Sequence, residues 1–132
     1  MLVGTEWLVD ASGCLPAALR DLGCLREVFR RIVAELDLKA VGEEQWHAFP
    51  GEGGVTGLLL LRESHLACHT YPELGVATFN LYCCRERPEW TWRERLAELL
   101  GARGVTVVRI QRRREEDSAL GSIDPGRGRN AS

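Results

Sequence analysis

The sequence predicts an α+β fold, a two-layer sandwich in which two main helices pack on one face of an antiparallel sheet. The periodic segments follow the order strand, helix, three or four strands, helix, strand. Two of them have apolar residues at helical spacing with one charged face, whereas the others show strand-like alternation or short apolar runs. Amphipathic helices and a sheet bury their apolar sides by packing as layers, so this order favours two layers.

The first half of the chain predicts two strands and two helical segments. Residues 6–11 alternate in polarity and predict a strand. Pro16 can open a short helix that Gly23 closes. From Leu25 onwards, apolar residues recur at helical spacing and charged residues occupy the other face, which predicts a longer helix. Residues 44–49 suggest a second strand.

The second half predicts three further strands, a helix and a last strand. We expect the apolar strand 55–61 to be buried on both faces or nearly so. The next strands are predicted at 65–71 and 76–82, with 72–75 as a hairpin connection. An amphipathic helix at 90–100 precedes a strand at 105–110. The domain is expected to span 1–117, and the non-periodic segment 118–132 predicts a flexible tail.

Length and composition favour one small globular domain and exclude several partner classes. The chain has 132 residues and a formal net charge of -2, which gives no general attraction to nucleic acid or an anionic membrane. No apolar run approaches the roughly 18 residues of a membrane span. Five cysteines without a CxxC pair or an evident export signal are typical of reduced cytoplasmic thiols. We therefore expect no disulfide framework and no metal site.

The stretch 58–84 contains the residues that can carry chemistry. Glu63-Ser64 ends an apolar run, His69 follows five residues after Ser64, and Cys84 follows twenty after it. A serine after a strained peptide bond can attack the preceding carbonyl carbon and form an ester. A base such as His69 can then remove the serine Cα proton, and elimination followed by hydrolysis leaves a pyruvoyl group and ammonia. Cys84 is a candidate acid for a later protonation step.

Each of these residues alone is more typical of a structural role, as a turn serine, a strand histidine or a buried cysteine. Strand alternation also gives Ser64 and His69 opposite faces, so bringing both into one site needs a turn or bulge at Ser64. Their joint spacing is more specific. Glu63-Ser64-His65, the run 69–73 and Cys84 together resemble the bacterial S-adenosylmethionine decarboxylase proenzymes. The resemblance covers roughly 4–111 and is dense over 54–84.

The resemblance implies self-cleavage between Glu63 and Ser64, giving a β chain of residues 1–63 and an α chain of residues 64–132. Ser64 becomes a covalent pyruvoyl cofactor, which forms a Schiff base with the substrate amine and accepts electrons as a carboxylate leaves. The resemblance also implies a homodimer whose two active sites lie at the subunit boundary.

The same resemblance assigns roles to the other matching positions. His69 corresponds to the processing base and Cys84 to the catalytic proton donor. Thr56 is a candidate hydroxyl donor and stands where the family has a serine that assists processing. Glu73 matches a carboxylate that holds the substrate ribose, since a carboxylate can accept two hydroxyl hydrogen bonds. Phe49 matches an aromatic residue that stacks on adenine.

Three functions remain open at this point. The first is a decarboxylase of S-adenosylmethionine that supplies polyamine (spermidine) synthesis, and the second is a pyruvoyl decarboxylase of ornithine or arginine. The third is a non-catalytic homologue that acts as a regulatory subunit, against which the retained Ser64, His69 and Cys84 argue. Glu73 favours the first, because ornithine and arginine have no ribose. The chain departs from the usual family residues at several positions that include Tyr71, Val76, Asn80 and Arg85, where the family has Trp, Tyr, Asp and Gly.

Overall fold

The computed structural model describes residues 2–115, which form one antiparallel sheet with helices against it. The strands are β1 (Leu2–Ser12), β2 (Gln45–Ala48), β3 (Val55–Leu61), β4 (Ser64–Tyr71), β5 (Val76–Cys83) and β6 (Gly104–Arg113). The helices are α1 (Pro16–Arg20), α2 (Leu22–Glu35) and α3 (Trp92–Leu100), and a 3-10 turn covers Pro72–Leu74. The strand order is β2-β3-β4-β5-β1-β6. The predicted α+β class is confirmed, and the predicted tail 118–132 lies outside the described residues.

The core lies between the helices and one face of the sheet. Alternate residues of the central strands are buried on this face, as strand periodicity requires. The buried side chains of α2 and α3 pack against them in the same cluster, which includes Phe29 and Ile32 from α2 and Trp92 and Leu96 from α3. The predicted apolar stripes of both main helices therefore face the sheet.

Both main helices begin at residues that differ from the predicted ones, and the neighbouring side chains explain why. Helix α2 begins at Leu22 because the Asp21 carboxylate accepts a hydrogen bond from the Gly23 N–H at 2.9 Å and caps the helix. Helix α3 begins at Trp92, two residues later than predicted. Trp90 is buried ahead of the helix, and its indole N–H donates to Glu35 at 2.7 Å.

The second face of the sheet is open within the described part of the chain. Leu58 and Leu60 of β3 are 48% and 58% exposed in a single copy of the chain. The expectation that this strand is buried on both faces is therefore wrong for the isolated chain. The exposed apolar side chains of this face also include Leu8, Val108 and Ile110. We call this surface the open face. These apolar side chains lie on β3 and on β1 and β6, on either side of a polar centre that includes His65 and Asn80 of β4 and β5. Exposed apolar side chains gathered on one face are often covered by another surface in an assembly.

Thr70 joins the sheet to α1, and its removal should destabilise the fold. The buried hydroxyl accepts a hydrogen bond from the Val55 N–H at 2.9 Å and donates to the Leu19 carbonyl at 2.7 Å. Thr70→Val leaves both backbone groups without this partner and should lower the free energy of unfolding by about 1–3 kcal/mol. Urea denaturation measures the loss. Thr106→Val, at an exposed position of β6, is the matched control and should change stability by less than about 0.5 kcal/mol. Equal losses in both variants would contradict this role of Thr70.

Candidate active site

The Glu63–Ser64 bond lies at the tip of the hairpin between β3 and β4. Leu61 pairs with Ser64 across a turn formed by Arg62 and Glu63. The Glu63 carbonyl oxygen accepts a hydrogen bond from the Cys84 backbone N–H at 3.0 Å. An amide donor at this oxygen stabilises negative charge if a nucleophile adds to the carbonyl carbon. The carbonyl of the bond that the sequence singled out is therefore polarised, and the two residues of this bond are partly exposed.

Ser64 lies beside the paired Cys83 of β5, at the edge of a cavity of about 250 Å³. Glu63, Ser64, Cys83 and Cys84 all line this space, which we call the cleavage cavity. Burial raises the pKa of the Cys83 thiol, while the Ser64 hydroxyl and the Arg87 cation oppose part of that rise. The cross-strand pairing therefore places the Ser64 hydroxyl beside the Cys83 thiol.

A second cavity, of about 470 Å³, contains four of the predicted site residues. Phe49, Thr56, His69 and Glu73 line it together with Tyr71. Thr56 Oγ1 lies 3.1 Å from His69 Nδ1. When His69 Nδ1–H donates to this hydroxyl, Nε2 keeps the lone pair that a general base needs. We call this space the histidine cavity.

Strand pairing and two turns place these residues at one end of the open face. Thr56 and His69 are direct cross-strand partners on β3 and β4. Glu73 lies in the 3-10 turn after β4, which ends at Gly75 in the left-handed conformation (φ 66°) that glycine adopts without strain. The Phe49 ring packs edge-on against His47, with centroids 4.7 Å apart. This arrangement gives the cavity a carboxyl group, an imidazole and an aromatic wall.

Ser64 and His69 of the same chain do not meet. Five residues of extended strand separate them by about 16 Å, and they point to opposite faces of the sheet. The turn at Arg62-Glu63 does precede Ser64, but β4 pairs from Ser64 onwards in unbroken register with β3 and β5. The expectation that a turn or bulge brings both side chains into one site is therefore wrong for a single chain.

The five cysteines are free thiols with different surroundings. Cys14, Cys68 and Cys83 are buried, and burial raises the pKa of Cys68 to about 12. Cys84 follows the end of β5 and is exposed, unlike its neighbour. Cys84 is therefore the thiol of the cleavage cavity that a substrate can reach from solvent, and Cys83 is the one beside Ser64.

Sequence reasoning missed Lys39 and Arg87, which also line the cleavage cavity. The charged segment Arg85-Glu86-Arg87, directly after Cys84, is a local signal for Arg87. Lys39 has no such signal, because the loop after α2 reaches the hairpin only through backbone pairing such as Arg62 N–H to the Lys39 carbonyl at 2.8 Å. Residues 2–115 contain no cluster of three His, Cys, Asp or Glu suited to a metal ion. No helix in that same range has the length and apolarity to cross a membrane.

Comparison with known proteins gives concordant matches over most of the chain. A family model described as S-adenosylmethionine decarboxylase matches residues 5–113. The S-adenosylmethionine decarboxylase proenzyme of Caldicellulosiruptor saccharolyticus is 33% identical over 114 residues, which cover 83% of this chain and 88% of the relative. The proenzyme of the same name from Pyrococcus abyssi is 31% identical over 117 residues, covering 87% and 82%. The crystal structure of the Aquifex aeolicus adenosylmethionine decarboxylase has the same fold, with a TM-score of 0.73 and 24% identity over 88% of this chain and 95% of that one.

Proposed function

The chain belongs to the S-adenosylmethionine decarboxylase family, and from this premise we propose that it is a decarboxylase of S-adenosylmethionine that cleaves itself between Glu63 and Ser64. The observation that carries the proposal is the position of this bond, in a hairpin tip with its carbonyl hydrogen-bonded to the Cys84 N–H. The decarboxylated product would supply the aminopropyl group for spermidine synthesis. The five free thiols fit a reducing compartment, and the cytoplasm is our proposed location.

Self-processing would use groups that the chain already positions. Ser64 Oγ attacks the Glu63 carbonyl carbon, the Cys84 N–H stabilises the oxyanion, and the amide becomes an ester. A histidine then removes the Ser64 Cα proton, and the ester bond breaks by elimination. Water then hydrolyses the dehydroalanine left at position 64 and ammonia departs. The resulting pyruvoyl group would supply a carbonyl for the substrate amine and an electron sink for the departing carboxylate.

We propose that the complete site contains residues of two copies of the chain. The cleavage cavity has the nucleophile but lacks the histidine, and the histidine cavity has the base but lacks Ser64. The open face carries exposed apolar side chains on β1, β3 and β6 that a second copy can bury. A homodimer formed through this face would bring His69 and Thr56 of one copy to the Glu63–Ser64 bond of the other.

The histidine cavity favours a nucleoside-containing substrate. Glu73 can accept hydrogen bonds from two ribose hydroxyls, and Phe49 offers a flat surface for adenine. Tyr71 lines the same cavity and is one of the positions where the chain departs from its family. Because a carboxylate can also pair with the cationic end of ornithine or arginine, decarboxylation of these amino acids is the second candidate function.

One experiment tests cleavage and substrate together. Denaturing mass spectrometry of fresh protein should show fragments of 63 and 132 − 63 = 69 residues, the larger one blocked by a pyruvoyl group. The mature protein then receives carboxyl-labelled S-adenosylmethionine, ornithine or arginine, and released carbon dioxide is counted. Release from ornithine or arginine alone would overturn the substrate and leave the cleavage chemistry standing. An intact chain that decarboxylates would overturn the mechanism.

Glu73→Gln should lower kcat/KM for S-adenosylmethionine by about ten- to a hundredfold, mostly through KM. The amide oxygen of the introduced glutamine accepts a hydrogen bond from one ribose hydroxyl more weakly than a carboxylate does, and the amide NH2 group faces the other hydroxyl. Such a loss costs about 1–3 kcal/mol. Steady-state kinetics on mature protein measures the change. Glu52→Gln, in the exposed loop before β3, is the matched charge control. Equal kcat/KM values in the two variants would show that Glu73 does not bind the substrate.

Cys84→Ala should still yield both fragments but should lose about a hundredfold or more in kcat, since a positioned general acid contributes about 10²–10⁴. Of the Cys84 groups, fragment formation uses only the backbone N–H, and alanine keeps this N–H. Cys83→Ala is the paired comparison and should keep its turnover. Normal turnover in Cys84→Ala together with loss of turnover in Cys83→Ala would assign the proton-donor role to Cys83, which is the thiol beside Ser64.

A further inference from the structure

The cleavage cavity is lined by more cationic than anionic side chains, and the self-processing steps above assign these cations no role. Its charged side chains are the cations Lys39, Arg62, Arg85 and Arg87 and the anions Asp37 and Glu63. Lys39 Nζ is held by Asp37 at 3.0 Å. The remaining cations therefore outnumber the remaining anion around the bond that would break.

Two of these arginines lie close to the Glu63–Ser64 bond. The Arg85 guanidinium contacts the Glu63 side-chain carboxylate directly. Arg87 is partly buried, and its Nε–H has no hydrogen-bond partner in the described residues. The Arg87 cation also opposes part of the burial-induced rise in the pKa of the Cys83 thiol, and Cys83 is the cross-strand partner of Ser64. The exposed Arg85 guanidinium thus pairs with the Glu63 side chain, and the more buried Arg87 has an N–H donor without a hydrogen-bond partner in the described residues.

Self-cleavage by elimination creates one new anion at this place. When the base takes the Ser64 Cα proton, the Cα–Cβ double bond forms and the Cβ–Oγ bond breaks. The electron pair of that bond leaves with Oγ, so the Glu63 carbonyl carbon becomes a carboxylate. Ordinary hydrolysis leaves an ammonium group beside the new carboxylate, but here the serine nitrogen is lost as ammonia and no such cation remains.

We propose that Arg85 and Arg87 form a carboxylate-binding site that stabilises the Glu63 α-carboxylate as it leaves and then holds it as the new C-terminus of the β chain. The inference rests on the self-processing proposed above and assigns residues to its elimination step. Guanidinium groups bind carboxylates through paired, charge-assisted hydrogen bonds, so they stabilise a transition state in which this charge develops. The Cys84 N–H already fixes one oxygen of the future carboxylate.

The test follows cleavage in chains made by cell-free synthesis, with samples taken over time for denaturing mass spectrometry. Half of each sample receives hydroxylamine, which cuts the ester but not the amide. Arg85→Ala combined with Arg87→Ala should accumulate the hydroxylamine-sensitive ester and slow fragment formation by roughly ten- to a hundredfold. Arg85→Ala alone changes an exposed side chain, so it should fold and show a smaller effect of the same kind. Arg85→Lys should recover part of the rate, because it keeps the charge but not the paired geometry.

Two matched variants separate leaving-group binding from other effects. Arg30→Ala removes a surface arginine that is paired with Glu27 on α2, and it should cleave at the wild-type rate. Glu63→Gln removes the side-chain carboxylate and frees Arg85 for the leaving group, so it should accumulate less ester than Arg85→Ala. Equal ester in these two variants would show that Arg85 acts only through the side-chain pair, and the inference would be wrong.

The remaining outcomes distinguish this inference from the proposed function. A wild-type chain that never cleaves would overturn both. A wild-type chain that cleaves, with a double variant that cleaves equally fast and shows no ester, would overturn the arginine site alone. A double variant that stops as the intact amide would place the arginines before the ester and would also refute leaving-group binding.

Discussion

Ser64→Ala should remain one chain of 132 residues and release no carbon dioxide from S-adenosylmethionine. Alanine has no oxygen to attack the Glu63 carbonyl, and no other hydroxyl can generate the cofactor at this position. The replacement should leave the fold intact, because Ser64 begins β4 with regular backbone pairing to both neighbouring strands. Intact mass, thermal unfolding and labelled-carbon release are the three measurements.

Ser12→Ala is the control for removing a serine hydroxyl elsewhere in the sheet. Ser12 ends β1 and is exposed, so this variant should cleave and decarboxylate as the wild type does. Activity in uncleaved Ser64→Ala would show that the reaction does not depend on a group made from this serine. Cleavage in Ser64→Ala would show that the bond breaks by ordinary hydrolysis.

Mixing two inactive variants should restore cleavage if the active site is shared between copies. His69→Ala should stop at the ester, since elimination lacks its base. In a mixed dimer with Ser64→Ala, one site combines an intact Ser64 with an intact histidine, and the other has neither. With random pairing about half of the dimers are mixed, so about a quarter of all chains should be cut. All of these should be His69→Ala chains.

Different affinity tags on the two variants identify the cut chains and confirm that mixed dimers form. The single-variant samples, treated identically, are the negative controls. Mixed dimers without cleavage would place the complete site within one chain, against the separation of about 16 Å along β4. Normal maturation of His69→Ala alone would remove this histidine from the role of base.

The fold was largely predictable because most of its helices and strands have a local apolar pattern. Apolar periodicity predicts α2, α3 and the strands, and β3 (Val55–Leu61) has the predicted bounds. The deviations arise from side-chain contacts that periodicity does not contain, such as the Asp21 cap of α2 and the hydrogen bond between Trp90 and Glu35. The uncovered side of β3 was not predictable, because an apolar strand looks the same whether its own chain or another copy covers it.

The sequence could nominate candidate site residues, but it could not give their arrangement. Spacing and resemblance selected Phe49, Thr56, His69 and Glu73, and the structure places these four around one cavity. Strand alternation already gives Ser64 and His69 opposite faces, but it could not show that they line separate cavities, because that depends on how the neighbouring loops pack. The charged lining of the cleavage cavity is a product of tertiary structure, since the loop that carries Lys39 meets the hairpin only in the folded chain.

The strand order has a consequence for what happens after denaturation. Cleavage at the hairpin tip would assign β1, β2 and β3 to one polypeptide and β4, β5 and β6 to the other, yet β1 lies between β5 and β6. The two polypeptides would therefore be interleaved within one sheet, and neither could leave without breaking its hydrogen-bonded ladders. Refolding of the mature protomer becomes a second-order encounter of two unlike fragments, whereas the uncut precursor folds by a first-order process. At high dilution we expect denatured precursor to regain its sheet while denatured mature protein does not.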